Sequence, residues 1–341
     1  MTDKIQFRDF LTAVGRVFGA VLRLKNLTAL GFVATLGTVL GFLGAWNWFL
    51  DLFAHFRVQY FWGLLVIGVL ILFERKRAWA FTFLIMSAVN LVLILPFYLG
   101  KPKPHNYDTA PLRVMLINVH IHNDSHQKVL DCIRAYNPDF IVLEEIGGEW
   151  FRAITTALSN DYPHVAKELR DDPFGIGLWS KHPFASTNIF YSSDFALPSI
   201  LAGLDTPHGS CSILATHPLP PIGSIYSENR NAQLAELAQR VRGSPPLLLI
   251  GDLNATPWCA AFKRFLRDSG LKNSAQGRGA HPTWPAPFPP FLRIPIDHVL
   301  HTPDVEIISR QTGPRVGSDH RPVIVDFKLP PPSREINHTL P

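Results

Sequence analysis

The hydrophobic pattern changes character near residue 104. Before that point apolar residues run in long blocks; after it, short apolar runs alternate with amphipathic stretches. Three blocks stand out, at 27–50, 58–73 and 78–99. A helix needs about 20 apolar residues to cross a bilayer. The first and third blocks meet that length. The second starts beside Arg57 and Gln59 and is shorter, which fits a snorkelling, tilted or re-entrant pass. Trp46, Trp48, Trp62 and Trp79 fall near the proposed ends, where an aromatic belt belongs. A buried helical core is the weaker reading, because windows this apolar are costly to keep in water. Ahead of the blocks, residues 7–25 space their apolar positions at helical intervals among Arg8, Arg16, Arg23 and Lys25, as in a helix lying on a membrane surface. Nothing there reads as a cleavable signal peptide.

Beyond the proline-bearing polar linker at 101–111 ("KPKPHNYDTAP"), the pattern predicts an α/β domain over 112–329, with a disordered tail at 330–341. The strands expected are 113–120, 139–146, 175–183, 211–218, 246–254, 296–302 and 318–327, with helices at 125–137, 227–243 and 260–270. Ser227 is the expected N-cap of the second helix, and Gly243 stands just past its end. The expected organisation is therefore an amphipathic segment at 1–26, a helical transmembrane region with about three spans at 27–100, the linker, the domain and the tail.

Charge sharpens this division. Only 17% of residues are charged, against about 25% in soluble proteins. The net +5 is uneven: residues 1–104 carry 11 Lys/Arg and 4 Asp/Glu, whereas residues 105–341 carry 21 and 23. The basic excess therefore lies outside the domain, where it argues against nucleic-acid binding as the source of the high pI. Lys4, Arg8, Arg16, Arg23 and Lys25 precede the first block, Arg57 separates the first two, Arg75, Lys76 and Arg77 separate the next two, and Lys101 and Lys103 follow the third. This spacing predicts an integral membrane protein with a cytoplasmic N-terminus and a periplasmic or extracellular domain. Cys132, Cys211 and Cys259 show no metal-binding spacing and read as buried free thiols.

The candidate chemistry sits at strand ends. Apolar runs stop at Asn118, at Glu145, at His217, at Asp252 with Asn254, and at Asp297; Asp319 and His320 open the last run. If the backbone stays extended past Asp252, Asn254 leaves the same face. Gathered at one rim, these groups would form an acidic pocket suited to a hard cation, Mg²⁺ or alternatively Mn²⁺. Glu145 and Asp319, with Asn118, are the expected metal ligands. Asp252 is placed to take a proton from water and Asn254 to orient that water. His217 and His320 supply donors for developing charge, and Asp297 could fix an imidazole tautomer.

The ordered blocks "LINVH", "NPDFIVLEE", "GIGLWSKHP", "LATHPLPP", "GDLNATPW", "IPIDHVLHT" and "GSDHRPV" resemble the endonuclease/exonuclease/phosphatase (DNase I-like) superfamily, here a membrane-anchored bacterial member. The resemblance covers about 112–328. It implies a four-layer α/β sandwich, two packed mixed β-sheets flanked by helices, and a metal-dependent phosphoesterase. It assigns Asn118, Glu145 and Asp319 to the metal and His217, Asp252, Asn254, Asp297 and His320 to catalysis. One position departs: the family usually has Gln before the metal Glu, and this chain has Glu144. A phosphodiester of nucleic acid is the first substrate expected, a phospholipid or head-group ester the alternative. A catalytically inactive, membrane-tethered binding module is the reading from another class. Arg230 and Asn231 either reach substrate or are solvated. His120 and Asn123 are unassigned, and His298 and His301 read as bystanders. The loop 281–295, with Trp284, Phe288 and Phe291, is either a substrate or membrane lip or simple packing.

Overall fold

The computed structural model describes residues 24–73, 77–244 and 246–331. The surface helix expected at 7–25 falls almost wholly outside them, as does the tail from 332 onward. The chain forms two compact units, residues 1–95 and 96–341.

The first unit holds α1 (Leu24–Leu40), α2 (Trp48–Leu52), a 3₁₀ turn (Phe53–Phe56), α3 (Arg57–Leu72) and α4 (Arg77–Ile94). The block 27–50, expected as one span, is broken. Helix α1 ends at Leu40, and Asn47 starts α2 by accepting the Phe49 N–H on its side-chain oxygen at 2.8 Å. Hydropathy alone misses such a break, because a capping Asn hardly lowers a window's average. Arg57, expected between spans, is instead a buried helical residue. Its guanidinium donates to the Thr38 carbonyl at 2.8 Å and to Asn90 Oδ1 at 3.4 Å, and lies 4.4 Å from the centre of the Phe42 ring. Among the described residues, two helical stretches are long and apolar enough to cross a membrane, Trp48–Leu72 and Arg77–Phe97; a shorter apolar one is Asn26–Leu40.

The second unit is built on twelve strands: β1 (Leu112–Asn118), β2 (Phe140–Glu144), β3 (His164–Glu168), β4 (Ile176–Ser180), β5 (Phe184–Ser192), β6 (Leu197–Thr206), β7 (Gly209–Thr216), β8 (Leu247–Asp252), β9 (Lys272–Asn273), β10 (Asp297–His301), β11 (Glu306–Thr312) and β12 (Val323–Lys328). They form two six-stranded mixed sheets, ordered β11-β12-β1-β2-β4-β3 and β5-β6-β7-β8-β10-β9. Each sheet has one parallel pair, β1 with β2 and β7 with β8, and antiparallel neighbours elsewhere.

Period-two alternation sorts the side chains. Val114, Leu116, Phe140 and Val142 join Ile213, Leu248, Ile250 and Val325 in the core cluster shared by the two sheets. Their alternates Met115, Ile117, Ile141 and Leu143 pack in a second cluster with Ile133, Trp150 and Ile154 from α5 (His126–Tyr136) and α6 (Gly148–Leu158). Strands buried on both faces read as continuous apolar runs, which is why these were visible in the sequence. The second sheet is covered by α7 (Ser224–Val241) and α8 (Ala260–Ser269): Gln233 donates to Thr216 Oγ1 at 3.2 Å, and Phe262 meets His298 at 4.5 Å between ring centres. Helix α7 starts a turn before the expected Ser227, with Gly223 as its N-cap at φ 93°. The layering is the expected two packed mixed sheets flanked by helices.

Ile250 sits fully buried between the sheets. Ile250→Ala should destabilise the domain by about 2–5 kcal/mol, as buried aliphatic truncations do; chemical denaturation of the full chain, followed by tryptophan fluorescence, measures it.

Candidate active site

Asn118 ends β1 opposite Glu144, which ends β2. Asp252 ends β8 directly across from Asp297, which begins β10. The Glu144 side chain joins these two sheet ends. Both carboxylate oxygens of fully buried Glu144 accept the backbone N–H of Asp252, at 3.1 and 3.0 Å. Gly251 makes room for this contact: a Cβ there would collide with the Thr216 carbonyl and reach within 2.8 Å of Glu144 Oε1.

Glu145 leaves the strand at φ 60°. That turn separates it from Glu144 and points the two carboxylates to different partners. Glu145 Oε1 accepts from Asn118 Nδ2 at 2.9 Å, and Oε2 from the Ile121 N–H at 3.1 Å. Asn118 Nδ2 also lies 3.5 Å from Asp252 Oδ2. The extended backbone expected after Asp252 does not persist. Asn254 adopts φ 48°, and its N–H donates to Asp252 Oδ1 at 2.9 Å. An Asx-type turn therefore brings the two side chains together, where a continued strand was expected. Asn254 Nδ2 donates to the Pro218 carbonyl at 3.0 Å and sits 3.5 Å from His217 Nε2. The run expected to open at Asp319 and His320 is likewise a turn, since β12 begins at Val323.

Asp252 Oδ2 lies 3.7 Å from both His217 Nε2 and His320 Nε2. His320 Nδ1 donates to Asp297 Oδ2 at 2.9 Å. Asp252, Asp297, His217 and His320 are all buried. Burial pushes the Asp252 carboxyl up, Asp297 adds to this, and the result is about 8. Burial would push the His320 imidazole down, but the Asp297 and Asp252 carboxylates outweigh it and raise the ring to about 10. Burial opposes ionisation of Asp297 too, yet the His320 charge and its hydrogen bond, with Thr283, hold that carboxyl below its ordinary value. His217 is pushed down, chiefly by burial. His217 is thus the neutral histidine and His320 the charged one.

Ligand atoms of Asp252, Asp297 and His320 lie within 4.8 Å of one another. A protonated imidazole cannot ligate, so His320 in this state is a proton carrier. The oxygen donors that fit a hard cation are Glu145 and Asn118, close to Asp252. Asp319, next to His320 in the chain and one of the charges that raise it, has its Oδ2 accepting from Trp284 Nε1 at 3.0 Å, and its Oδ1 is buried with no hydrogen-bond donor.

Several supporting residues had no clear sequence signal. Arg310 is buried and donates to the Asp297 carbonyl at 2.9 Å. Ser318 donates to the Asn118 carbonyl at 2.7 Å and accepts the His320 N–H at 2.9 Å, tying the last turn to β1. Arg230 is buried and donates to the Asn254 carbonyl at 3.0 Å, so it supports the turn and is not a solvated helix start. Asn123 donates to the Val119 carbonyl, and His298 pairs with the Ala255 carbonyl at 2.8 Å; both are structural.

A family model described as the Endonuclease/Exonuclease/phosphatase family matches residues 115–320 of the chain. Among solved structures, an endonuclease/exonuclease/phosphatase from Beutenbergia cavernae aligns with a TM-score of 0.56 at 23% identity, covering 64% of this chain and 72% of that one. The human Nocturnin catalytic domain, with a bound sulfate anion, aligns at 0.53 and 21%, covering 64% and 94%. The D. rerio protein TDP2, complexed with single-strand DNA product, aligns at 0.53 and 15%, covering 64% and 99%. At these identities the likeness shows the fold alone. No curated protein matches the chain.

Asp297→Asn removes the largest of the charges that hold His320 protonated, together with its hydrogen bond. In the full chain, nitrogen-15 imidazole spectra should show His320 charged at pH 8. In the variant burial dominates, and the ring should be neutral at that pH.

Proposed function

The chain belongs to the endonuclease/exonuclease/phosphatase family, and from that membership we propose that it hydrolyses a phosphodiester by direct attack of water, with Mg²⁺ or Mn²⁺ as cofactor. The observation that carries this reading is convergence: residues from 118 to 320 meet around one buried carboxylate, Asp252.

The residues present fit a divalent cation. Asp252 is too buried to carry a charge comfortably at neutral pH, Glu145 adds a second carboxylate nearby, and one Asp319 oxygen is buried without a donor. Glu145 and Asp319 would hold the cation, with Asn118 beside them. When bound it would polarise a phosphoryl oxygen and draw off developing charge. Asp252, ionised once a cation lies beside it, takes the proton of the attacking water, and Asn254, fixed by its turn and by Arg230, orients that water or a phosphate oxygen. His320, charged and backed by Asp297, supplies the proton that the leaving oxygen takes, and His217 stands beside the phosphoryl oxygens. No covalent enzyme intermediate is required.

The apolar first unit is proposed as a membrane anchor. Two stretches of sufficient length support it. The Lys/Arg distribution supports a cytoplasmic N-terminus and a domain outside the cytoplasm.

The full chain in detergent should hydrolyse bis-p-nitrophenyl phosphate with Mg²⁺ and lose that activity in EDTA. Asp252→Ala and His320→Ala should each lower the rate by about 10²–10⁴. Activity indifferent to EDTA, or either variant near the normal rate, would contradict the scheme.

A further inference from the structure

Two segments that leave the candidate site carry exposed apolar side chains. Within residues 112–331, seven large hydrophobic residues are exposed, and five of them lie on two segments, the approach to α7 with its first turn and the loop 281–295. Ile222 and Ile225, 75% and 64% exposed, follow His217 by a few residues. Phe288, Phe291 and Leu292, 52%, 57% and 46% exposed, stand on the loop that leads to Asp297. Both segments are fastened to the site. Pro218, at the root of the first, accepts from Asn254. Trp284, at the root of the second, donates to Asp319, and the Ala286 N–H donates to the Asp319 carbonyl at 2.6 Å.

The second loop is stiff and carries charge beside it. Arg293 donates to the Phe288 carbonyl at 2.6 Å, bracing the loop backbone between them. Arg321, next to His320, gives its N–H to the Thr283 carbonyl and lies close enough to Arg293 and exposed Arg315 for the three to repel one another. Burial first, then that repulsion, lowers the Arg293 and Arg321 guanidiniums. Local positive charge thus sits within a domain whose overall balance is slightly acidic. Apolar residues with neighbouring arginines are what an interface with anionic lipid requires. A nucleic-acid groove would instead call for basic charge along the backbone track and aromatic faces for stacking. Ile222, Ile225 and Leu292 offer no such faces.

We propose that these two segments seat the domain on a phospholipid surface, and that the diester cleaved is that of an anionic phospholipid. The proposal rests on the phosphoesterase reading above. Water's oxygen bonds to phosphorus as one ester P–O bond breaks; the ionised Asp252 carboxylate receives the water's proton, and the departing alcohol oxygen takes one from charged His320. The products are a phosphomonoester and an alcohol.

The test uses the full chain in detergent with Mg²⁺ and two substrates: mixed phosphatidylcholine–phosphatidylglycerol micelles, read by phosphorus-31 spectroscopy as conversion of diester to monoester, and soluble bis-p-nitrophenyl phosphate. The wild type should hydrolyse both. Phe288→Ser combined with Phe291→Ser, and separately Ile222→Ser combined with Ile225→Ser, should each slow lipid hydrolysis by about tenfold or more. Neither pair should change the rate on the soluble diester, which also shows that the variants are folded. Both pairs at the normal rate on lipid would overturn the proposal. A wild type that cleaves the soluble diester and single-stranded DNA but no phospholipid overturns it while leaving the phosphoesterase reading intact. Inactivity on every diester with Mg²⁺ and with Mn²⁺ overturns both.

Discussion

Negative charge buried where two sheets meet is the constraint on which the rest of this domain depends. Glu144, Asp252 and Asp297 are all buried, with Glu145 next to them. Removing one ion from water costs several kcal/mol even after relaxation, so such a group survives only if opposite charge or hydrogen bonds meet it. His320 meets two of the four, facing Asp297 on one ring nitrogen and Asp252 on the other. Glu144 answers the demand differently: burial first, then Asp252, pushes its carboxyl well above the usual carboxylate range, and a neutral acid there resembles the amide that the family usually carries. The carboxyl groups of Glu145 and Asp252, close together and, among the described residues, without a cationic side chain of their own beyond His320, are what a divalent cation would answer. Stability and function thus make the same electrostatic demand.

The sheets are arranged to meet it. Each parallel pair brings two chain ends to one rim, and the antiparallel partners of β8 and β1 return Asp297 and the His320 turn to the same place. Side chains that leave the core face at that rim no longer have to be apolar. Left-handed residues mark the change: Glu145 and Asn254 have φ 60° and 48° immediately beyond their strands. Strained backbone of this kind persists where surrounding hydrogen bonds over-determine it, and at Asn254 they come from Asp252, Pro218 and Arg230.

Much of this could be read from the chain. Strands β1, β2 and β8 are buried on both faces, so their sequences are mostly apolar and their polar ends stand out. Strands β3, β5 and β11 alternate or face solvent, carry polar residues such as Asn188 and Arg310, and gave no such run. Where period-two reasoning was carried past a strand it failed, as at Asn254, because a turn residue with a short polar side chain can close on the preceding Asp. The broken span at 41–47 was missed for a related reason: capping is local and hydropathy is an average. The partners of Asp297, Arg310 and Thr283, are near it in sequence but lie on β11 of the other sheet and on the loop before β10, and no spacing announces a contact made only after the sheets have packed.

The most direct measurement is calorimetric titration of Mn²⁺ into the full chain near pH 7, in two buffers of different ionisation enthalpy. If the buried carboxylates need a cation, binding should displace a proton, because Asp252, raised to about 8, is largely protonated before the ion arrives. The apparent heat should then differ between buffers, and Glu145→Gln should abolish binding. Binding with the same heat in both buffers, or unchanged binding in the Glu145 variant, would contradict the account.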